Sequence, residues 1–238
     1  MMHTLIRVLC VVVAGVTLSA CSRSAPAPVA ASEPAPASTS ASVVVSSSAT
    51  PTSDLEAPHG LPAYGVQETT KRPVSAGETT CTPDTPPAHP VEAHGAAPGS
   101  PTVILGLPDG FAPAADPQGD IALNLTGPDG RTGTVTITPT TLDAAAAFQA
   151  YGDDRTKGSE ISSLSVLPGD LCGYSGQELM GMLADKPGQG VEFADRVVHV
   201  WTNDGDFLIA IRLQAPQGTS LDSAKEVLLA DFGIRMPG

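Results

Sequence analysis

Val197-Val198-His199-Val200-Trp201-Thr202, then Asn203-Asp204-Gly205, then Phe207-Leu208-Ile209-Ala210-Ile211-Arg212-Leu213, is the stretch that decides the fold. β-Branched and aromatic residues on both sides of a polar turn spell a β-hairpin, and Asp-Gly favours the type I′ turn whose twist matches the paired strands. These two strands are expected to carry most of the core. Upstream, Ile121 to Thr126 and Gly133 to Thr138 flank Pro128-Asp129-Gly130 and read as a second hairpin. In its return strand Val135 and Ile137 alternate with threonines, as a sheet with one buried face requires, and Pro139 is expected to end it.

Further out, Val103-Ile104-Leu105 reads as a strand before the turn at Pro108-Asp109-Gly110. Ile161 to Leu167 and Tyr174 to Ala184 read as two more, separated by Pro168-Gly169-Asp170. Two helices complete the pattern. Thr141 is the expected N-cap of one over Leu142 to Tyr151, with Asp143 opposing the helix dipole and a run of alanines raising propensity. The other follows Thr219 or Ser220, placing Leu221, Ala224, Leu228 and Phe232 on one stripe, with Gly233 as its C-cap. Antiparallel strands interrupted by one helix and closed by another imply an α+β fold, an antiparallel sheet packed with helices. Nothing in the order suggests a parallel nucleotide-binding sheet.

The N-terminus carries an address. A basic start ending at Arg7 precedes an apolar run from Val8 to Val16, then Leu18-Ser19-Ala20-Cys21, after which polarity begins abruptly. The run is shorter than the roughly 20 residues a spanning helix needs, so residues 1–20 read as a lipoprotein signal peptide rather than a membrane helix. Cleavage would free Cys21 for lipidation on its thiol, and a further acyl chain such as palmitate on its amine would make the anchor stable. A plain secretory signal, with Cys21 incidental, is the alternative. The location implied is the extracytoplasmic face of the cell membrane.

From Cys21 to Gly60, 28 of 40 residues are Ala, Pro, Ser or Thr, and Val43-Val44-Val45 is the one apolar cluster. Such a composition cannot bury enough surface to fold, so residues 21–78 read as a disordered tether and 79–238 as the folded domain, the boundary lying near Thr79. At roughly 40 to 180 Å of reach, the tether is a spacer between membrane and domain. Thr50-Pro51-Thr52-Ser53 could carry O-linked sugars.

The chain of 238 residues has 25 acidic against 12 basic side chains, a net charge of −13, and loss of Arg7 with the leader takes this to −14. Nucleic acid is therefore an unsuitable partner, and the charge favours solubility and a monomer. After removal of Cys10, the thiols are Cys21, Cys81 and Cys172. In an oxidising compartment Cys81 and Cys172 are expected to form a disulfide, with two buried free thiols as the alternative.

No catalytic constellation is visible. Gly173-Tyr174-Ser175-Gly176-Gln177 departs from the nucleophile elbow, because Gln177 stands where the second glycine is required, so a serine hydrolase using Ser175 is only a remote alternative. His89 and His94 lack helical spacing and a third ligand, so no metal and no cofactor are expected. His199 reads as a strand residue with a surface or cross-strand role. Asn203-Asp204-Gly205-Asp206 lacks calcium-loop spacing, and the sequon at Asn124 lies inside a strand and reads as an outward polar position.

The lipobox, the Ala/Pro tether, Leu107-Pro108-Asp109-Gly110-Phe111, the hairpin around Asn203-Asp204-Gly205 and the terminal helix together resemble the LpqN/LpqT family of mycobacterial-type envelope lipoproteins. Phe111 stands where relatives tend to place tryptophan. The resemblance implies a PsbP-like α/β/α sandwich and a non-enzymatic binding or adaptor role in envelope lipid transport or assembly. It also implies contacts with a transporter, a mycolyltransferase or an envelope lipid. A carrier holding a lipid or glycolipid in an apolar cavity is the alternative. No ligand-binding residue transfers from the family.

Overall fold

A computed structural model describes residues 64–114 and 117–238. The leader, Cys21, the O-glycosylation candidates and the tether up to residue 63 lie outside the described residues. In chain order the strands are β1 (Thr79–Cys81), β2 (Pro90–His94), β3 (Thr102–Gly106), β4 (Ala112–Pro113), β5 (Ile121–Thr126) and β6 (Thr132–Thr140). Helix α1 (Ala144–Thr156) follows, then β7 (Ile161–Pro168), β8 (Ser175–Ala184), β9 (Val191–Trp201) and β10 (Asp206–Pro216). Helix α2 (Asp222–Leu228) and β11 (Gly233–Arg235) close the chain.

The quoted hairpin is the centre of a seven-stranded antiparallel sheet ordered β4-β5-β6-β10-β9-β8-β7. A smaller antiparallel sheet, β1-β11-β3-β2, packs on one of its faces. β9 shows how the layers form. Phe193 and Val197 pack with Phe148 and Tyr151 of α1, whereas Ala194, Val198 and Val200 join the core shared with the small sheet and α2. The fold is thus mixed, with two antiparallel sheets and two helices among the described residues. On the face away from α1, a β-sheet and a short helix share the layer that an α/β/α sandwich gives to helices.

Several local expectations change for physical reasons. β6 runs through Pro139 to Thr140, with Pro139 opposite Phe207, so the proline ends nothing. Asp143 rather than Thr141 caps α1, its carboxylate accepting from the Ala146 amide at 2.8 Å, and the helix continues to Thr156. Neither Asn203 nor Asp204 has the positive φ that a type I′ turn requires; Trp201 pairs with Asp206 across a four-residue loop. Asn203 is held there by both atoms of its amide, Oδ1 accepting from the Val74 amide and Nδ2 donating to the Val74 carbonyl. Left-handed backbone instead occurs in the β5–β6 turn, at Asp129 (φ 55°) and Gly130 (φ 75°). The second helix stops at Leu228, and Gly233, expected as its cap, opens β11 and pairs with Ile104.

The domain also begins earlier than Thr79. Gln177 donates to the Tyr64 carbonyl at 2.8 Å, the Gly176 amide to the Gly65 carbonyl at 2.9 Å, and Lys71 pairs with Asp206. Residues 64–78, read from composition as tether, are therefore laced to β8 and to the β9–β10 loop. No helix among the described residues is long and apolar enough to cross a membrane.

Candidate functional site

A buried charge cluster, a buried arginine and a set of open clefts are the candidates. On the α1 face, Asp195 is fully buried, and its Oδ2 accepts from Tyr151 Oη at 2.8 Å and from Arg155 Nε at 2.6 Å. Arg212 Nε donates to Tyr151 Oη at 2.9 Å, and the Arg155 guanidinium lies 4.1 Å from the Phe193 ring centroid. Burial raises the Asp195 carboxyl above its usual range against the pull of Arg155, and burial also raises the Tyr151 hydroxyl, which stays protonated. Asp195 Oδ1 and Arg155 Nη2 have no hydrogen-bond partner. The cluster joins α1 to β9 and β10, and this fastening is what its geometry accomplishes.

On the opposite face Arg196 plays the matching part. It donates to the Leu229 carbonyl at 2.9 Å and the Asp170 carbonyl at 3.4 Å, and pairs with Asp231 at 2.8 Å. It thereby draws the loops before β8 and after α2 onto the sheet. In the loop before β8, Cys172 is joined to Cys81 at the end of β1 in a disulfide spanning 91 residues. Cys172 has a left-handed φ of 52°, and Tyr174 Oη donates to Thr80 Oγ1 at 2.9 Å beside the bridge.

Apart from the bridged cysteines, the residues singled out from sequence do not converge on one site. Ser175 is 2% exposed, and its hydroxyl accepts from the Gln67 amide at 2.9 Å and donates to the Gln67 carbonyl at 3.4 Å. The strand register sets Ser175 opposite His199, yet the His199 Nε2 hydrogen bond goes to the Leu142 carbonyl at 3.0 Å. Each group is thus bonded elsewhere. His94 faces Thr102 and Glu92, while His89 lines a separate cleft, and no group of three or more potential metal-ligating side chains occurs among the described residues. Asn124 Oδ1 accepts from Thr134 Oγ1 across the strand pair.

The clefts lie where the layers fail to cover one another. One, of about 500 Å³, sits between β8–β9 and the N-terminal end of α2. Met180 and Ala194 give it an apolar floor, Leu221 closes one side, and Glu192, Asp222 and Lys225 supply charge. Glu192 also accepts from the Gly218 amide at 3.0 Å, fixing the loop that forms the rim. A second, of about 410 Å³, lies beside the Pro108-Asp109-Gly110 turn and includes His89, Leu107, Phe111, Arg131 and Val227. Of the residues lining the Met180 cleft, sequence reasoning named Leu221, as a core position, and Ser220, as a cap candidate; Met180 itself lies in the strand read from Tyr174 to Ala184.

No protein-family model and no curated protein matches the chain. Among solved structures, it is similar to LpqN, described as involved in cell envelope biogenesis of Mycobacterium tuberculosis, at 20% identity and a TM-score of 0.47. That match covers 62% of this chain and 91% of the other. A structure from Bacteroides thetaiotaomicron matches at 14% identity and a TM-score of 0.32, covering 57% of this chain and 48% of the other. Likenesses of this size assign neither a family nor an activity.

Proposed function

We propose that the chain is an exported lipoprotein of the LpqN/LpqT type, with a PsbP-like domain. In this reading it is cut before Cys21 and held by lipid at the extracytoplasmic face of the cell membrane. The domain is a non-enzymatic binding or adaptor module serving envelope lipid transport or assembly. The address rests on the lipobox and on the resemblance drawn from the sequence. The observation that carries the binding role is the Met180 cleft, which combines an apolar floor with Glu192, Asp222 and Lys225 and so suits an amphiphilic partner surface. Ser175, bonded to the Gln67 backbone and to no base, supports the non-enzymatic reading. A tether raises the effective concentration of such a module near membrane partners.

A photoreactive amino acid at Met180, in the full chain in intact envelopes, tests the binding role. Capture of a discrete protein or lipid, absent when the same group is placed at the exposed Asp153 on α1, is the expected result. Equal capture from both positions would remove the proposal. For the address, Cys21→Ser is expected to abolish detergent-phase partitioning, and retention of that behaviour would refute lipid anchoring. The alternative, a lipid carrier, requires an enclosed apolar chamber, whereas the clefts described above open to solvent. Organic extraction of the purified full chain that yields stoichiometric lipid would favour the carrier over the adaptor.

A further inference from the structure

β7 ends the seven-stranded sheet, and no strand among the described residues pairs with its outer side. Its sequence, Ile161-Ser162-Ser163-Leu164-Ser165-Val166-Leu167-Pro168, contains no ionisable side chain. Pairing with β8 is continuous from Ile161↔Ala184 to Pro168↔Gln177, with no bulge to twist the edge away. Ile161, Leu164 and Leu167 are 43, 37 and 46% exposed. Natural edge strands are usually protected by charge, bulges or brevity, and this eight-residue strand has none of these.

We propose that β7 is a self-association edge, at which a second copy of this chain adds its own β7 antiparallel about a two-fold axis at Leu164. The spacing of the exposed residues argues for a copy rather than another partner. Positions 161, 164 and 167 are symmetric about Leu164, so the two-fold sets Leu164 opposite Leu164 and Ile161 opposite Leu167. Ser163 then meets Ser165, and Ser162 meets Val166. Directly opposed residues share a sheet face, so a two-fold normal to the sheet allows only registers displaced by two. Those neighbouring registers would set Leu167 opposite Ser159 or Ser163, and only the Leu164-centred one gives every exposed apolar side chain an apolar partner.

Charge points the same way. The chain is acidic overall, so two copies repel across most surfaces, but the strand brings no carboxylate to the contact. Antiparallel pairing also brings the end carrying Lys157 and Glu160 in one copy to the end carrying Asp170 in the other, mixing signs at the flanks. An isologous contact of this kind closes on itself and does not propagate into a fibre. Both sheets keep their faces, so the two Met180 clefts open on the same side of one continuous sheet. The inference is independent of what those clefts bind, and it replaces the monomer expected from net charge.

Cysteine placement tests the register in the full, membrane-bound chain. Directly opposed residues in an antiparallel pair stand about 4.5–5.5 Å apart, within disulfide reach. Under mild oxidation, Leu164→Cys is expected to give a covalent dimer absent from the parent chain. Ser162→Cys is expected to give none alone but to crosslink when mixed with Val166→Cys. No dimer from Leu164→Cys, or equal self-crosslinking of Ser162→Cys, overturns the proposal. A second measurement avoids added thiols: sedimentation of the detergent-solubilised full chain is expected to show a dimer that Leu167→Lys abolishes without moving the melting temperature. A parent that sediments as a monomer at every concentration, or a dimer that survives Leu167→Lys, would equally refute it.

Discussion

Asp195 is the residue on which the fastening of α1 depends, because it accepts from both Tyr151 and Arg155 in a site closed to water. Asp195→Ala would leave the Arg155 guanidinium buried without its counter-ion, a change expected to cost about 3–5 kcal/mol in urea unfolding. The pH dependence has a definite sign. Burial holds the folded-state pKa of Asp195 above its ordinary value, so the folded chain takes up this proton before the unfolded one as pH falls. Relative to the protonated form, the ionised carboxylate is thus less favourable in the folded chain than in the unfolded one, and the group's contribution to stability improves as pH falls through the folded pKa, levelling off below the ordinary carboxylate value. Comparing urea midpoints of the parent and Asp195→Asn across that range should show the difference shifting toward the parent as pH drops. A difference independent of pH would contradict the assignment. The strand expected from sequence started at Val197, after the adjacent charges Asp195 and Arg196, whereas β9 starts at Val191 and runs through both. Each is neutralised by a partner far along the chain, Arg155 for one and Asp231 for the other.

At the scale of the element, the approach of β7 to β8 depends on Gly181. A Cβ placed there would stand 1.9 Å from the Ser163 carbonyl oxygen, a contact that only backbone movement relieves. Gly181→Ala is expected to destabilise by about 1–3 kcal/mol. It should also accelerate amide exchange in residues 161–168 while leaving β9 and β10 protected, and uniform exchange across the sheet would argue against a local origin. The second helix teaches a different lesson. Leu221, Ala224, Leu228 and Phe232 are all buried, as their stripe implied, yet the last reaches the core from beyond the helix. Pairing of β11 with both β1 and β3 outweighs another helical turn, so helical spacing identified core residues correctly and the helix end wrongly.

For the molecule as a whole, the Cys81–Cys172 bridge links β1 of the small sheet to the turn that leads into β8 of the large one. Cys172→Ser is expected to cost about 2–5 kcal/mol under non-reducing conditions, and the deficit should vanish against a reduced parent. A deficit that persists in reductant would place the cost in side-chain packing instead. The sequence by itself determined the central hairpin, the β5–β6 hairpin, β3, β7, β8 and the α+β class. In those segments the signal is local: alternation or apolar runs bounded by Gly, Pro and Asp. Only the tertiary structure decided the existence of the small sheet, the inclusion of residues 64–78, the Met180 cleft and the open edge at β7. The reason is physical. Strands of two to five residues such as β1, β2, β4 and β11 have too few side chains to show a period, and β1 and β11 pair across more than a hundred and fifty residues. A cleft or an edge exists only where one layer stops short of covering another, a relation between elements that no single stretch of sequence contains.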